Sequence, residues 1–356
     1  MGRSTRVFNT FWDYPDDRFD EELDRDEILT SEATGGRDKP KFRPFDLLRG
    51  VTYDNDGLHS IPVFDGEDMT VFVEAPAGAY PFFHREVDQD VVYFQYLGTS
   101  TVETQFGTHT IAPGQMLIIP RGIAQRTIGS VDSLRWAFYY RDPVQPGVDL
   151  ANPTAHYEFE VTREPAISYP FASAERTHGV RADGRIREVI RVRDHPEDDT
   201  WVWRSYQTLL TSGTVVGRPI VQFGYFDYLK GITGGQGGPP CKPVVGVTHL
   251  THLEAFNTVG EMTSGFHRGS DAEEMWLQFG GAAQNESEFG LYVLGTSEMG
   301  YVPKGIAHHV VGLEGYLRCT LYAKHYIRQL VTDADHVSDT RFTVTANVRQ
   351  LQAVGA

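Results

Sequence analysis

The sequence contains two copies of one pattern, separated by a constant distance. FHREVDQDVVYFQYLG at 83–98 is repeated as FHRGSDAEEMWLQFGG at 266–281, and IIPRGIAQR at 118–126 is repeated as YVPKGIAHH at 301–309. Both segments are shifted by 183 residues. Two separate segments that agree on one offset indicate an internal duplication, which constrains the chain to two similar halves.

Each copy has the pattern of short antiparallel strands. Runs rich in aromatic and β-branched residues, such as VVYFQYLG (91–98) and MWLQFGG (275–281), are separated by segments with Gly and Pro, as in APGQMLIIPRG (112–122). This punctuation at short intervals is typical of all-β sandwiches and barrels. We therefore predict an all-β fold with two jelly-roll β-barrel domains in one chain, related by duplication.

The predicted domain order is an arm, two barrels and a tail. The arm (1–40) contains the acidic run DYPDDRFDEELDRDE at 13–27, which we expect to be solvated or to contact a partner rather than to bind metal. The first barrel is predicted at 41–165. Connecting strands and the second barrel follow at 166–331. The tail, 332–356, carries no chemical signal.

Charge and composition exclude several classes of function. The chain has 48 acidic and 32 basic residues, a formal net charge of −16, and such a surface repels nucleic acid backbones. No apolar run approaches the ~18 residues of a membrane span. The N-terminus lacks the apolar core of a signal peptide, so we expect a cytoplasmic protein. Two cysteines, Cys241 and Cys319, make neither a disulfide framework nor a zinc site.

The second copy carries three residues with metal-binding chemistry. His267 is followed six residues later by Glu273 and forty-one residues later by His308. An even separation places His267 and Glu273 on one face of an extended segment. Pro303 and Gly305 suit a turn that leads into a strand carrying His308. Two imidazoles and one carboxylate form the facial triad of Fe(II) enzymes, which leaves coordination positions open for substrate and dioxygen.

His309 is the alternative to His308 as the last ligand. Adjacent residues of a strand point to opposite faces, so only one of the two can face the metal. The spacing Pro-x-Gly-x-x-His favours His308.

These motifs resemble those of the cupin superfamily, in which His-x-His-x(3)-Glu is followed by Pro-x-Gly-x-x-His. Gly269 replaces the second His of the first motif, so three ligands remain. Among proteins with two cupin domains, GFHRGSDAEEM (265–275) is most similar to the iron-binding stretch of homogentisate 1,2-dioxygenases. In that family the last ligand directly follows the Pro, where this chain has Lys304, whereas His308 is at the general cupin position.

The resemblance implies an Fe(II)-dependent dioxygenase, with one iron per chain, that uses O2 to open the ring of a small hydroxylated aromatic acid of the homogentisate, gentisate or salicylate type. It also implies a homo-oligomer and an acid/base histidine upstream of the iron motif. His249 and His252 are the candidates, since imidazole titrates near neutral pH. The alternatives are a metal-dependent cupin enzyme of another reaction type, namely a decarboxylase, an isomerase or another oxygenase, or a non-enzymatic protein that binds a small ligand.

The first copy departs from the ligand pattern. It retains His84, but Asp90 replaces the Glu and Gln125 replaces the last His. A glutamine is a weak ligand for soft or borderline metals. Glu86 stands where the second copy has Gly269, which leaves a site for a hard ion as the alternative. We predict that the first barrel is structural and that the chain has one active site.

Overall fold

A computed structural model gives the fold. The described residues are 4–8, 18–22, 41–48, 58–76, 78–79, 83–86, 88–104, 106–146, 159–162, 174–180, 186–192, 220–226, 241–248, 251–257, 262–263, 267–269, 272–287, 290–304, 306–313 and 315–330. Their regular elements are strands, apart from one 3₁₀ helix at Pro44–Leu48. Among them there is no helix of the length and hydropathy that a membrane crossing requires. The predicted tail at 332–356 lies outside the described residues.

The described residues form twenty-nine strands. In order they are β1 (Ser4–Phe8), β2 (Arg18–Glu22), β3 (Lys41–Phe42), β4 (Leu58–Gly66), β5 (Met69–Pro76), β6 (Gly78–Ala79), β7 (Phe83–Glu86), β8 (Asp90–Leu97), β9 (Ser100–Thr104), β10 (Gly107–Ile111), β11 (Gln115–Ile119), β12 (Gln125–Gly129), β13 (Leu134–Tyr140), β14 (Gln145–Pro146), β15 (Phe159–Thr162), β16 (Ala174–Val180), β17 (Ile186–Val192), β18 (Ile220–Gly224), β19 (Cys241–Thr248), β20 (Thr251–Asn257), β21 (Met262–Thr263), β22 (His267–Gly269), β23 (Glu273–Gly280), β24 (Ala282–Ser287), β25 (Gly290–Gly295), β26 (Met299–Val302), β27 (Ala307–Gly312), β28 (Leu317–Ala323) and β29 (Ile327–Gln329).

The chain divides into two compact units that are each assembled from separate segments. The first barrel consists of Phe45–Asp65 and Met69–Tyr225, and the second barrel consists of Met1–Pro44, Gly66–Asp68 and Phe226–Ala356. This division falls after Tyr225, whereas the sequence predicts the boundary at residue 165. The strands between these two positions belong to the first barrel.

The first barrel has two sheets. One has the strand order β15-β18-β11-β8-β13-β5-β4, and the other has the order β10-β9-β12-β7-β17-β16, with β6 paired to β12. A buried core lies between them, with Tyr93, Leu117 and Ala137 from one sheet and Val102 and Ile111 from the other.

The second barrel repeats this arrangement. Its sheets have the orders β19-β20-β28-β23-β26-β3 and β1-β2-β22-β27-β24-β25, with β21 paired to β27. Trp276 and Val302 of one sheet pack with Ala283, Leu294 and Val310 of the other. Two sheets enclosing one apolar core, twice in the chain, confirm the prediction of an all-β fold with two related jelly-roll barrels.

The duplication extends to individual hydrogen bonds. The strands β8 and β23, like β13 and β28, are displaced from one another by the same 183 residues as the sequence motifs. In β8 the side-chain amide of Gln95 donates to the carbonyl of Leu97 (2.6 Å), and in β23 that of Gln278 donates to the carbonyl of Gly280 (2.5 Å). The same side-chain hydrogen bond is therefore present within each barrel at the matched position.

One turn is present in both barrels but has a different residue at the position with positive φ. Gly114 precedes β11 with φ of 82°, and Ser297, at the matched position before β26, has φ of 68°. The backbone amide of Gly114 donates to Gln95 O (2.9 Å), and that of Ser297 donates to Gln278 O (2.8 Å). Only glycine adopts this left-handed conformation without steric cost, so the second barrel keeps the turn with a strained residue.

Each barrel has a strand hairpin that adds to one of its sheets. The hairpin β16–β17 adds to β7 of the first barrel, where Val189 is the partner of His84. The hairpin β1–β2 adds to β22 of the second barrel, where Glu22 is the partner of His267. Part of the predicted acidic arm, Arg18–Glu22, is therefore a strand of the second barrel.

Candidate metal site in the second barrel

The strand β23 presents alternate residues to the barrel interior. Trp276 belongs to the buried core, and Glu274, two residues earlier, lies on the same face. The indole N–H of Trp276 donates to Oε2 of Glu274 (3.1 Å). The carboxylate of Glu274 is thus held against the core, where it is 3% exposed.

His308 lies beside this carboxylate. Its Nε2 is 3.6 Å from Oε2 of Glu274, and its ring meets that of Trp276 edge-on at 5.4 Å between centroids. The other ring nitrogen, Nδ1, is 3.0 Å from the carbonyl oxygen of Ile306. A carbonyl at Nδ1 favours the tautomer with the proton on that nitrogen, which leaves Nε2 as the basic atom toward Glu274.

The separation of these two atoms is near that of two donors of one ion. Two ligand atoms about 2.1 Å from a metal are about 3.0 Å apart at the right angle of a facial triad and about 3.4 Å apart at a tetrahedral angle, so the 3.6 Å observed here closes to either with a small movement of the side chains. The backbone carbonyl at Nδ1 of His308 is the partner that metal-binding histidines commonly have. His308 and Glu274 are therefore suited to hold a divalent cation.

His267 is at the register position opposite His308. The strands β22 and β27 pair antiparallel, with His267 against His308 and Arg268 against Ala307. Residues directly opposite each other in such a pair share a face of the sheet. The side chain of His267 lies outside the described part of the chain. Within that part, no three His, Cys, Asp or Glu side chains come together as a metal-binding group.

Glu273 has a different environment from the one expected. The hydroxyl of Tyr301 donates to Oε2 of Glu273 (2.5 Å) and lies 3.3 Å from the carbonyl oxygen of Ile327. The prediction that Glu273 shares a face with His267 assumed one extended segment between them. β22 ends at Gly269 and β23 begins at Glu273, and residues 270–271 between them lie outside the described part of the chain, so the shared face stays a prediction. Of the two carboxylates, Glu274 is the one beside His308.

The two histidines of β27 lie on opposite faces. His309 is the register partner of Glu286, and its Nε2 is 3.4 Å from Oε2 of that residue. His308, the residue that the spacing favoured, is the one on the side of Glu274.

One candidate acid/base residue is placed near the pair by register. His252 on β20 is the partner of Tyr322 on β28, and Tyr322 is in turn the partner of Glu274 on β23. The three positions form one row across the sheet. The side chain of His252 and the whole of His249, the other candidate, lie outside the described residues.

The first barrel has an apolar interior at the matched positions. Val91 stands where the second barrel has Glu274, and it belongs to the buried core together with Tyr93 and Ala137. Position 137 corresponds to Thr320, which is also fully buried. Asp90, the expected substitute for the acidic ligand, faces away from this core: its carboxylate accepts from the backbone amide of Val144 (2.6 Å).

A buried ion pair occupies more of the first barrel. Nε of Arg135 donates to Oε2 of Glu74 (2.8 Å), and both side chains are fully buried. The guanidinium lies 3.6 Å from the ring centre of Tyr93, and the hydroxyl of Tyr139 donates to Glu74 (3.3 Å). In the second barrel, Arg318 stands at the position matched to Arg135, and its guanidinium lies 4.7 Å from the ring centre of Trp276.

Comparisons with known proteins give similar structures only. No protein-family model and no curated protein sequence matches the chain. A cupin 2 conserved barrel domain protein from Leptotrichia buccalis is similar over 83% of this chain and 99% of its own, with 8% identity and a TM-score of 0.43. The putative glyoxylate-induced protein of Pseudomonas aeruginosa matches over 86% and 95%, with 12% identity and a TM-score of 0.47. A variant of the oxalate decarboxylase of Bacillus subtilis matches over 85% and 81%, with 11% identity and a TM-score of 0.44. The description of the fold as two barrels rests on the strand order and register given above.

Proposed function

We propose that the second barrel binds one Fe(II) through His267, Glu274 and His308 and cleaves the ring of a small hydroxylated aromatic acid with O2. The observation that carries this proposal is the buried pair of His308 and Glu274, whose facing atoms are 3.6 Å apart. Two imidazoles and a carboxylate are the ligand set of non-haem Fe(II) oxygenases. When bound, the iron supplies the electron transfer between an aromatic substrate and dioxygen.

The chain's own residues fix the donor atoms. The carbonyl of Ile306 orients the ring of His308, and the indole of Trp276 orients the carboxylate of Glu274. Both supports are buried, so the donors are held in place before a metal or substrate arrives. Three protein ligands leave the remaining coordination positions free for exogenous groups.

The surroundings of the pair suit a planar substrate. The rings of Trp276 and Tyr322 are buried on the same face of the sheet as Glu274. Aromatic rings favour stacked or edge-on contacts with another ring. We assign proton removal from the phenol to His252, because its register position is in the row of Tyr322 and Glu274.

The test is the metal content of protein purified without oxygen, combined with oxygen uptake on homogentisate, gentisate and salicylate. We expect near one iron per chain and phenol-dependent uptake in the wild type, and loss of both in His308→Ala and Glu274→Gln. Glu273→Gln is the matched control, since it changes the neighbouring carboxylate on the other face of β23 and is expected to retain iron.

Two outcomes would contradict the proposal. Full iron content and activity in Glu274→Gln would remove this residue from the ligand set. A stoichiometric manganese, nickel or zinc content at His308, without oxygen uptake, would instead support a decarboxylase, an isomerase or a ligand-binding protein.

A further inference from the structure

A threonine hydroxyl is buried on the inner face of the second barrel. Thr320 on β28 is the register partner of Trp276 on β23, and Trp276 belongs to the buried core. Thr320 is fully buried, and its Oγ1 has no hydrogen-bond partner among the described residues. Burying a hydroxyl without a partner costs free energy, so such a group calls for a reason. A bound molecule that accepts a hydrogen bond from Thr320 would remove this cost.

This hydroxyl is one row away from the proposed metal donors. Glu274 and Tyr322 are register partners, and Trp276 and Thr320 form the next pair on the same face of the sheet. Two residues along a strand span about 6–7 Å. A group bound at Thr320 is therefore inside the same barrel as the proposed metal, but too far along the strand to share its coordination.

Arg318 adds a positive charge to the row of Thr320. It is two residues away on β28 and so lies on the same face. Its guanidinium is 4.7 Å from the ring centre of Trp276, and the residue is 5% exposed. The ring of Trp276 also meets that of His308, at 5.4 Å between centroids. A guanidinium has five N–H donors, so Arg318 can bind an anion in addition to its other contacts.

The first barrel lacks this combination. Ala137 stands at the position matched to Thr320 and has no hydroxyl. The guanidinium matched to Arg318 has Glu74 as its register partner and donates to that carboxylate (2.8 Å), whereas the register partner of Arg318 is Phe256. Both differences occur in the barrel that holds the proposed metal donors.

We propose that Thr320 and Arg318 bind the carboxylate of the substrate at a distance from the metal. This inference rests on the proposed function and narrows its substrate class. A hydroxyl and a guanidinium both donate, and charge-assisted hydrogen bonds to a carboxylate are strong. The row spacing is about the width of an aromatic ring, so the acid group is on a side arm or across the ring from the hydroxyl that binds the metal. Ortho-hydroxy acids such as salicylate, whose two groups chelate one ion, do not span the two rows.

The experiment compares the binding of homogentisate and hydroquinone, which is the same ring without the acid arm. Isothermal titration calorimetry is carried out on the full chain purified without oxygen, so that no turnover occurs. We expect the wild type to bind homogentisate more tightly than hydroquinone. Thr320→Val keeps the shape but removes the hydroxyl, and it is expected to weaken homogentisate at least about tenfold while leaving hydroquinone and salicylate unchanged. Thr320→Ser retains the hydroxyl and should keep the preference.

Thermal unfolding supplies a second measurement and a matched control. Because the hydroxyl of Thr320 has no partner to lose within the described residues, Thr320→Val is expected to unfold at or above the wild-type midpoint. The control is Thr251→Val, which removes another buried threonine hydroxyl of this barrel, one that accepts from the backbone amide of Lys324 (3.1 Å). It should lower the midpoint and leave the affinity for homogentisate unchanged.

Three outcomes would overturn the proposal. The wild type could show no preference for homogentisate, or Thr320→Val could retain that preference. Thr320→Val could also lower the midpoint as Thr251→Val does, which would assign its hydroxyl to a partner in the fold such as Glu254, its register partner on β20. Failure of the iron proposal would show separately, as missing iron or oxygen uptake in a wild type that still prefers homogentisate.

Discussion

Asp90 and Glu273 occupy matched positions, and each carboxylate accepts a hydrogen bond from a neighbouring part of its own barrel. Asp90 accepts a hydrogen bond from the amide of Val144. Glu273 accepts one from the hydroxyl of Tyr301, which lies 3.3 Å from the carbonyl oxygen of Ile327. Val144 and Ile327 correspond to each other at the offset of the duplication. In both barrels, then, this carboxylate is on the first residue of a strand, β8 or β23, and lies near the segment that follows β13 or β28. An environment found in both copies favours a structural role for Asp90 and Glu273, whereas Glu274 has no acidic counterpart in the first barrel.

Tyr301→Phe removes the link of Glu273 without changing the proposed ligands. A hydrogen bond to a buried carboxylate stabilises a fold by about 1.5–3 kcal/mol, and we expect the free energy of unfolding to fall by that amount. Denaturant titration measures it. Iron content should stay near the wild-type level, and a loss of iron with unchanged stability would contradict the structural role.

Ser297→Gly is expected to stabilise the protein. A residue other than glycine with φ near +68° carries a steric cost of about 1–2 kcal/mol, and glycine relieves it at some cost in unfolded-state entropy, so the net gain is about 0.5–1 kcal/mol. The first barrel provides the reciprocal variant, Gly114→Ser, which should destabilise by a similar amount. Thermal unfolding of both compares them, and equal midpoints would show that the turn is not strained.

Glu74→Ala is expected to destabilise the first barrel by about 3–5 kcal/mol, since it leaves the buried Arg135 without its carboxylate. Glu103→Ala breaks a partly exposed pair in the same barrel and should cost less than about 1 kcal/mol. Urea titrations of the two variants measure the difference. A cost below 1 kcal/mol for Glu74→Ala would mean that Arg135 finds another partner.

Phe42→Ala is expected to weaken the second barrel, although the residue lies near the N-terminus. Phe42 is 2% exposed and is the register partner of Met299 on β26. Removing a buried phenylalanine ring costs about 3–5 kcal/mol. Hydrogen exchange of β26 and β23 should accelerate, while exchange in β8 and β13 serves as the internal control. Faster exchange in the first barrel instead would contradict the assignment of β3.

The fold was predictable because the duplication repeats the same pattern of strand segments and turns in each half of the sequence. The motifs around His84 and His267 gave the strand pattern twice, and β8 and β23 lie where that pattern indicated. The strand partners of the hairpins β1–β2 and β16–β17 were not predictable, since the sequence around Glu22 carries no repeated motif. These hairpins pair with strands that are far away in the sequence, and a local sequence pattern gives no information about such pairing.

The sequence favoured Glu273 over Glu274 for a local reason. Counting in steps of two from His267 assumes one continuous strand, whereas β22 ends at Gly269 and β23 begins at Glu273. The duplication held the missing signal: the first copy keeps an acid at Asp90 but has Val91 beside it. The change from valine in the first copy to glutamate in the second therefore supports the proposed role of Glu274.

The pairing of the N-terminal strands with the second barrel has a consequence for the newly synthesised chain. The strands β1 to β3 belong to the second barrel. Although β1 and β2 pair with each other, β2 and β3 can pair with β22 and β26 only after most of the chain has been synthesised. At the 5–20 residues per second of ribosomal elongation, this delay is roughly 15–60 s. An unpaired strand is a template for aggregation, and charged side chains are the usual protection. The acidic run at 13–27 contains β2, so we expect its negative charge to protect the emerging hairpin from aggregation until the second barrel is synthesised.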